Sequence, residues 1–418
     1  MKQNMTKRIV WWMPAVVLWW SLSLTACSSD SGKNGETPVE PEKPKPVLVP
    51  RVTETVRYDS DKMTAYNFEY PSTDPFGNEV MLSGAITVGD EVTKDTPARG
   101  LVIYNHFTVY RADQVPSRGE LDAQKYVAGS GLITVSADYY GFGATENQMQ
   151  AYCLSKQNAK ASVDALINAK KLLREMGIEW DDNVLFNIGY SEGGQTAMGV
   201  VRHIDQFCPD LKLTCTLAGG GSYDIPETYR QMIASDITGM PSTVISVLLA
   251  YNEYYKLGLS RDLLFKEPVK SDIDEWILSK KYTGGQIDNH ISLQTITSFA
   301  TTEITDMTTN TSKVLLAALD DDNLCKGWKP RKDEKIILVH HLKDITVPVE
   351  NSTNLYKFLK EENGMQNVTL YALDWGSIGG RPAHETGAIP FIILTLNEVC
   401  TTLNIKLWID LEKLGLKI

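Results

Sequence analysis

Chemistry is most concentrated in this chain at Gly189-Tyr190-Ser191-Glu192-Gly193-Gly194. Glycine two residues before and after a serine permits a turn too tight for a Cβ on its neighbours, and such a turn lifts the hydroxyl clear of the backbone. A serine becomes a nucleophile only with a base to take its proton and a carboxylate to hold the base. The sequence contains six histidines: His106, His203, His290, His340, His341 and His384. On a strand-turn-helix elbow the partners follow the serine in the order acid, then histidine. His203 falls inside the helix expected after the elbow, His290 in a helical stretch, and His340 and His341 within a strand run. His384 remains, in Gly379-Gly380-Arg381-Pro382-Ala383-His384-Glu385 after the final expected strand.

The acid should sit just past the preceding strand. His341-Leu342-Lys343-Asp344-Ile345-Thr346-Val347-Pro348 puts Asp344 there, with Val347-Pro348 closing the turn before a helix. Asp374, one strand later, competes with it. So does Asp320-Asp321-Asp322, which reads better as a solvated loop.

These residues need a frame. Residues 64–70 and 79–88 are β-rich runs separated by a turn-rich segment and predict a hairpin. Residues 101–105, 132–138, 183–189, 211–218, 335–342 and 368–373 read as buried strands. Helical spacing fills 121–128, 157–176, 195–207, 352–362 and about 389–403. The alternation predicts an α/β fold, a mostly parallel central sheet with helices on both faces, preceded by the antiparallel hairpin. Residues 225–332 hold helical segments without a convincing strand and predict a helical cap inserted between core portions 59–224 and 333–418. Tyr251, Tyr254, Tyr255 and Leu257 within it could line a pocket, but their helical spacing favours cap core.

The elbow, the Asp-x-x-Val-Pro loop and the late histidine together resemble the α/β-hydrolase superfamily. Ser136-Ala137-Asp138-Tyr139-Tyr140-Gly141-Phe142-Gly143, with the elbow and cap, is similar to the secretory lipase family typified by a yeast lipase A. The resemblance spans about residues 60–405. It implies ester hydrolysis through an acyl-enzyme, with catalytic Ser191, Asp344 and His384. It also implies oxyanion donation from the backbone N–H groups of Glu192 and Asp138. Asn105-His106-Phe107 stands where many esterases carry His-Gly, so a donor at His106 or Phe107 is the alternative.

Lys2, Lys7 and Arg8 precede an apolar run that ends in Leu24-Thr25-Ala26-Cys27. This pattern predicts a signal peptide over 1–27, and its last four residues resemble a bacterial lipobox, implying lipidation at Cys27. Residues 28–58 are rich in Pro, Gly and Ser toward their start and predict a tether. The expected location is the bacterial cell envelope, lipid-anchored outside the cytoplasm, on a periplasmic or surface face. Export permits disulfides among Cys153, Cys208, Cys215, Cys325 and Cys400, and spacing favours Cys208 with Cys215. A formal charge of -11 with no basic stripe argues against nucleic acid as a partner. No Cys/His cluster suggests a metal, and no cofactor is implied. The expected partner is a small-molecule or glycan-linked ester. The rival readings are a serine aminopeptidase or oligopeptidase and a surface binding lipoprotein with a vestigial hydrolase domain.

Overall fold

The computed structural model describes residues 47–119, 124, 127, 129–293, 295–377 and 379–406. The expected signal peptide with Cys27, the expected tether up to residue 46 and most of the helix expected at 121–128 lie outside the described residues.

Asp74 shows why the chain turns back where it does. Its Oδ1 accepts the N–H groups of Phe76 and Asn78 at 2.9 and 2.8 Å, closing an aspartate-stabilised turn. That turn joins β2 (Met63–Thr73) to β3 (Glu79–Gly89), paired antiparallel along their whole length as the hairpin predicts. β1 (Arg51–Tyr58) pairs with β2, so the expected tether gives way to sheet before residue 58. Its alternating Val, Thr and Tyr residues suit an edge strand that the Pro-rich composition upstream masks.

The remaining strands are β4 (Leu101–Asn105), β5 (Ile133–Ala137), β6 (Leu185–Tyr190), β7 (Cys215–Gly219), β8 (Ile336–His341) and β9 (Val368–Leu373). Among the described residues they form one sheet in the order β1-β2-β3-β5-β4-β6-β7-β8-β9, parallel from β5 onward. Side chains alternate between its faces. Val102, Phe186, Leu217 and Ile337 pack with Phe391 and Leu394 on one side. Leu101, Ile103, Ile336 and Leu338 belong to the larger core on the other, with Leu166 and Val200.

Helix α1 (Ser155–Glu175) and α2 (Glu192–Phe207) supply that larger core. Between β7 and β8 come α3 (Ile225–Ser235), α4 (Pro241–Tyr254), α5 (Gly284–Ile291) and α6 (Asn310–Asp321), with shorter helical turns between them. α7 (Glu350–Tyr356) follows β8, and α8 (Ala383–Thr402) packs on β6, β7 and β8. Among these described residues no helix is long and apolar enough to cross a membrane.

Two expectations about side chains fail. Cys153, Cys208, Cys215, Cys325 and Cys400 are all free thiols, so Cys208 and Cys215 are not bridged. Cys215 faces the Phe186 side of the sheet, whereas Cys208 packs at the end of α2 on the opposite side. The acidic run is not uniformly solvated either, because Asp322 is buried. Its carboxylate accepts the N–H groups of Ser155 and Lys156 at the start of α1 and pairs with the buried Arg202 at 3.2 Å. Tyr251 of α4, fully buried, donates to the same carboxylate at 3.1 Å.

Candidate active site

Ser191 closes β6 and opens α2 at φ 59 and ψ -123, a conformation a non-glycine residue rarely holds. Its N–H donates to Gly219 O at 2.8 Å, which ties the turn to the next strand. The glycines are required by contact. A Cβ on Gly189 would lie 2.0 Å from Gly193 O, and one on Gly193 would lie 2.1 Å from Asn105 O.

His384 Nε2 lies 2.8 Å from Ser191 Oγ, and His384 Nδ1 lies 2.6 Å from Asp344 Oδ2. A carboxylate can only accept, so Nδ1 carries the hydrogen and Nε2 is free to accept the serine proton. Asp344 Oδ1 accepts the N–H groups of Thr346 and Val347, both at 2.9 Å, which is the work of the tight loop before Pro348. Burial alone would raise the Asp344 carboxyl, yet the charge and hydrogen bonds of His384 and His340 carry it well below the usual carboxylate range. Burial likewise opposes the His384 imidazolium, but the adjacent Asp344 outweighs it and raises the imidazole. Asp374, the rival acid, pairs at the surface with Lys343.

Two residues to which the sequence assigned no role in the site hold this arrangement. Tyr190 donates to His384 O at 2.6 Å, fixing the segment that carries the imidazole. His340 sits 3.5 Å from Asp344 and 2.7 Å from Ser352 Oγ, bracing the acid from beneath. The tyrosine stood inside the elbow motif and the histidine next to last in the strand before the acid, so position was the available signal. His384 itself lies in the first turn of α8, not in a free loop, because Pro382 at the N-cap starts that helix earlier than its apolar run suggests.

Asp138 does not fit an oxyanion role. Its N–H donates to Ser83 O at 2.9 Å, the register that joins β3 to β5, so the donor is already used. Its carboxylate, fully buried, accepts from Ser83 Oγ at 2.6 Å and from Ser117 N at 2.9 Å. Burial raises this carboxyl despite those bonds. The His106 ring is also taken up, stacked on Tyr139 with Nδ1 2.7 Å from Phe107 O and Nε2 3.3 Å from Asp138 O, and as a neutral imidazole it donates to one of these two carbonyls. Phe107 and Glu192 line the same cavity as Ser191, and among the described residues neither backbone N–H has a protein acceptor.

That cavity holds about 420 Å³, within the range of small-molecule sites. One side is made by Ile225, Met232, Val244 and Leu248 of α3 and α4, the other by Tyr104 and Phe391. Its surface is overwhelmingly apolar, and Arg381 and Glu385 flank His384 in its lining.

The profile of the secretory lipase family matches residues 126–377, more than half of the chain. This chain belongs to the secretory lipase family. A secretory lipase is a carboxylic ester hydrolase, and the α/β-hydrolase fold is that of its structural neighbours. The rice cell wall degrading esterase LipA of Xanthomonas oryzae superposes with a TM-score of 0.72 at 19% identity, covering 85% of this chain and 98% of that one. A putative hydrolase of Legionella pneumophila gives 0.72 at 19% identity, covering 87% and 100%. Candida antarctica lipase A in its closed state gives 0.61 at 13% identity, covering 85% and 83%. No curated protein sequence matches the chain. The secretory lipase match includes Ser191 and Asp344 and ends before His384.

Proposed function

We propose that the protein is an exported, lipid-anchored esterase that cleaves carboxylic esters with an apolar acyl group through Ser191, His384 and Asp344. The observation that carries this reading is the continuous chain from Ser191 Oγ through His384 to Asp344, opening onto an apolar cavity. His384 Nε2 takes the proton as Ser191 Oγ bonds to the ester carbonyl carbon. The N–H groups of Glu192 and Phe107 receive the oxyanion, the elbow residue and the loop after β4 being the usual pair of donors in this fold. The C–O bond to the alcohol then breaks, and His384 returns the proton to the departing alcohol. Water, deprotonated by His384, releases the acid and restores Ser191. Residues 225–332 serve as the cap that encloses the acyl group.

The lipid anchor rests on the basic start, the apolar run and Leu24-Thr25-Ala26-Cys27. The Xanthomonas enzyme is described as degrading rice cell wall, but the apolar lining here favours an alkyl or aryl acyl group over a sugar in the acyl site.

A fluorophosphonate probe and a series of nitrophenyl esters beside aminoacyl nitroanilides test the reading. Labelling of Ser191 with ester cleavage is expected. Exclusive cleavage of the anilides would overturn the choice of ester, and an unlabelled folded protein would favour a vestigial binding domain.

A further inference from the structure

Glu192 follows the nucleophile, and its side chain is placed unlike that of an ordinary acidic residue in the first turn of a helix. The residue is 2% exposed and lines the cavity. Oε1 accepts two long hydrogen bonds, from Cys153 N at 3.2 Å and from Asn158 Nδ2 at 3.3 Å. Oε2 is enclosed and, among the described residues, has no hydrogen-bond partner. The groups that face it are neutral: Asn158 from α1, Tyr152 and Cys153 from the segment before α1, Tyr139 from the end of β5, and Tyr110 from the loop after β4. No lysine, arginine or histidine among the described residues forms an ion pair with it. His384 shares the cavity but is engaged with Asp344.

A carboxylate in such a place would keep one oxygen unsolvated and the other held only by two weak neutral donors. The α2 N-terminus favours negative charge, but by less than full burial disfavours it. The backbone N–H of this same residue is the proposed oxyanion donor. An ionised side chain would therefore put a second negative charge within one residue of the developing oxyanion, in a medium that screens it poorly.

We propose that Glu192 is an electrostatic positioning residue whose carboxyl must be protonated for the oxyanion site to work, so that its ionisation switches ester cleavage off on the alkaline side. The burial that encloses it pushes the carboxyl up to about 8, which puts that ionisation just above neutrality. The inference rests on Ser191 being the nucleophile. It assigns Glu192 no proton transfer and no contact with substrate through its side chain.

The test measures kcat/KM for a nitrophenyl ester from pH 5 to 9.5 in the full chain and in E192Q, which keeps the shape of the protonated acid. The wild-type profile is expected to rise as His384 loses its proton and then to fall about tenfold per pH unit above the ionisation of Glu192. E192Q is expected to lose that fall whatever its absolute rate. E192A serves the same purpose if E192Q does not fold, because it also removes the ionisable group. Lys280, buried against the carbonyls of Gly141, Glu146 and Gln148, is lowered to about 8 and titrates in the same range, so the variants and not the wild-type profile decide. An alkaline fall that persists at the same pH in E192Q or E192A, or a wild-type profile flat to pH 9.5, overturns the proposal. Fluorophosphonate labelling of Ser191 at pH 6.5 tests the nucleophile separately. Its absence overturns the nucleophile and this proposal together, whereas a labelled protein with an unchanged alkaline fall overturns this proposal alone.

Discussion

At the scale of single residues, two buried carboxyls near one serine are driven in opposite directions. Asp344 is matched by two imidazoles and two backbone N–H groups, and it stays ionised. Replacing it by asparagine keeps the shape but reverses the hydrogen-bond demand on Nδ1 of His384. D344N is therefore expected to fold and to lose about 10⁴-fold in kcat, read by nitrophenyl ester turnover. The base must be neutral to accept a proton, and Asp344 raises His384, so activity falls as the pH drops through a value above the ordinary imidazole range. Glu192 has no such partners. The unfolded chain gives up this proton near the ordinary 4.5, while the folded chain keeps it to about 8. Between those values the folded state binds more protons, so this group makes stability fall as pH rises. E192Q removes that penalty. Its stability advantage over the wild type, read by denaturant unfolding, is expected to be small at pH 5 and to widen to about a few kcal/mol toward pH 8.

At the scale of elements, the links between sheet, α1 and the β7–β8 helices pass through a few buried polar groups. Asp322 follows α6 and caps α1, more than 160 residues earlier in sequence, while also holding Arg202 of α2 and Tyr251 of α4. Removing it strands a buried guanidinium and leaves the first N–H groups of α1 without acceptors. Asp322→Ala is expected to lower stability by about 3–5 kcal/mol in denaturant unfolding. Asp320 and Asp321, paired at the surface with Lys326 and Lys156, should each cost less than about 1 kcal/mol when replaced by alanine. A comparable loss at all three positions would contradict this division of roles.

At the scale of the whole molecule, the three groups proposed to react come from distant places: residue 191 after β6, residue 344 after β8 and residue 384 at the start of α8. Parallel strands bring these points to one edge of the sheet, because each strand of a parallel set ends on the same side. Helices α3 and α4 then close an apolar chamber over that edge. The proposed anchor at Cys27 would act on the molecule as a whole and not on the chamber. C27S is expected to release the protein from the membrane fraction of cell envelopes while its ester turnover is unchanged. Membrane retention of C27S at the wild-type level would show that Cys27 is not the anchor.

The sequence by itself determined the alternation of strands and helices and the elbow around Ser191, and it pointed to His384 among six histidines as the proposed base. All of these are written in local pattern: period, turn glycines and order along the chain. The loop of Asp344 was legible for the same reason, since Val347-Pro348 marks its turn. Only the tertiary structure decided which donors remain free. The N–H of Asp138 is lost to Ser83, 55 residues away, and a strand-ending motif carries no sign of that pairing. It also decided that Cys208 and Cys215 lie on opposite faces of the sheet, and that of three consecutive aspartates one is buried. The environment of Glu192 belongs to the same class. The motif fixes where this residue sits along the chain, but the neutral shell that governs its charge is assembled from α1, the segment before it, β5 and the loop after β4. Hydrogen-bond satisfaction and desolvation are sums over neighbours in space, so they become determinate only when distant segments have packed.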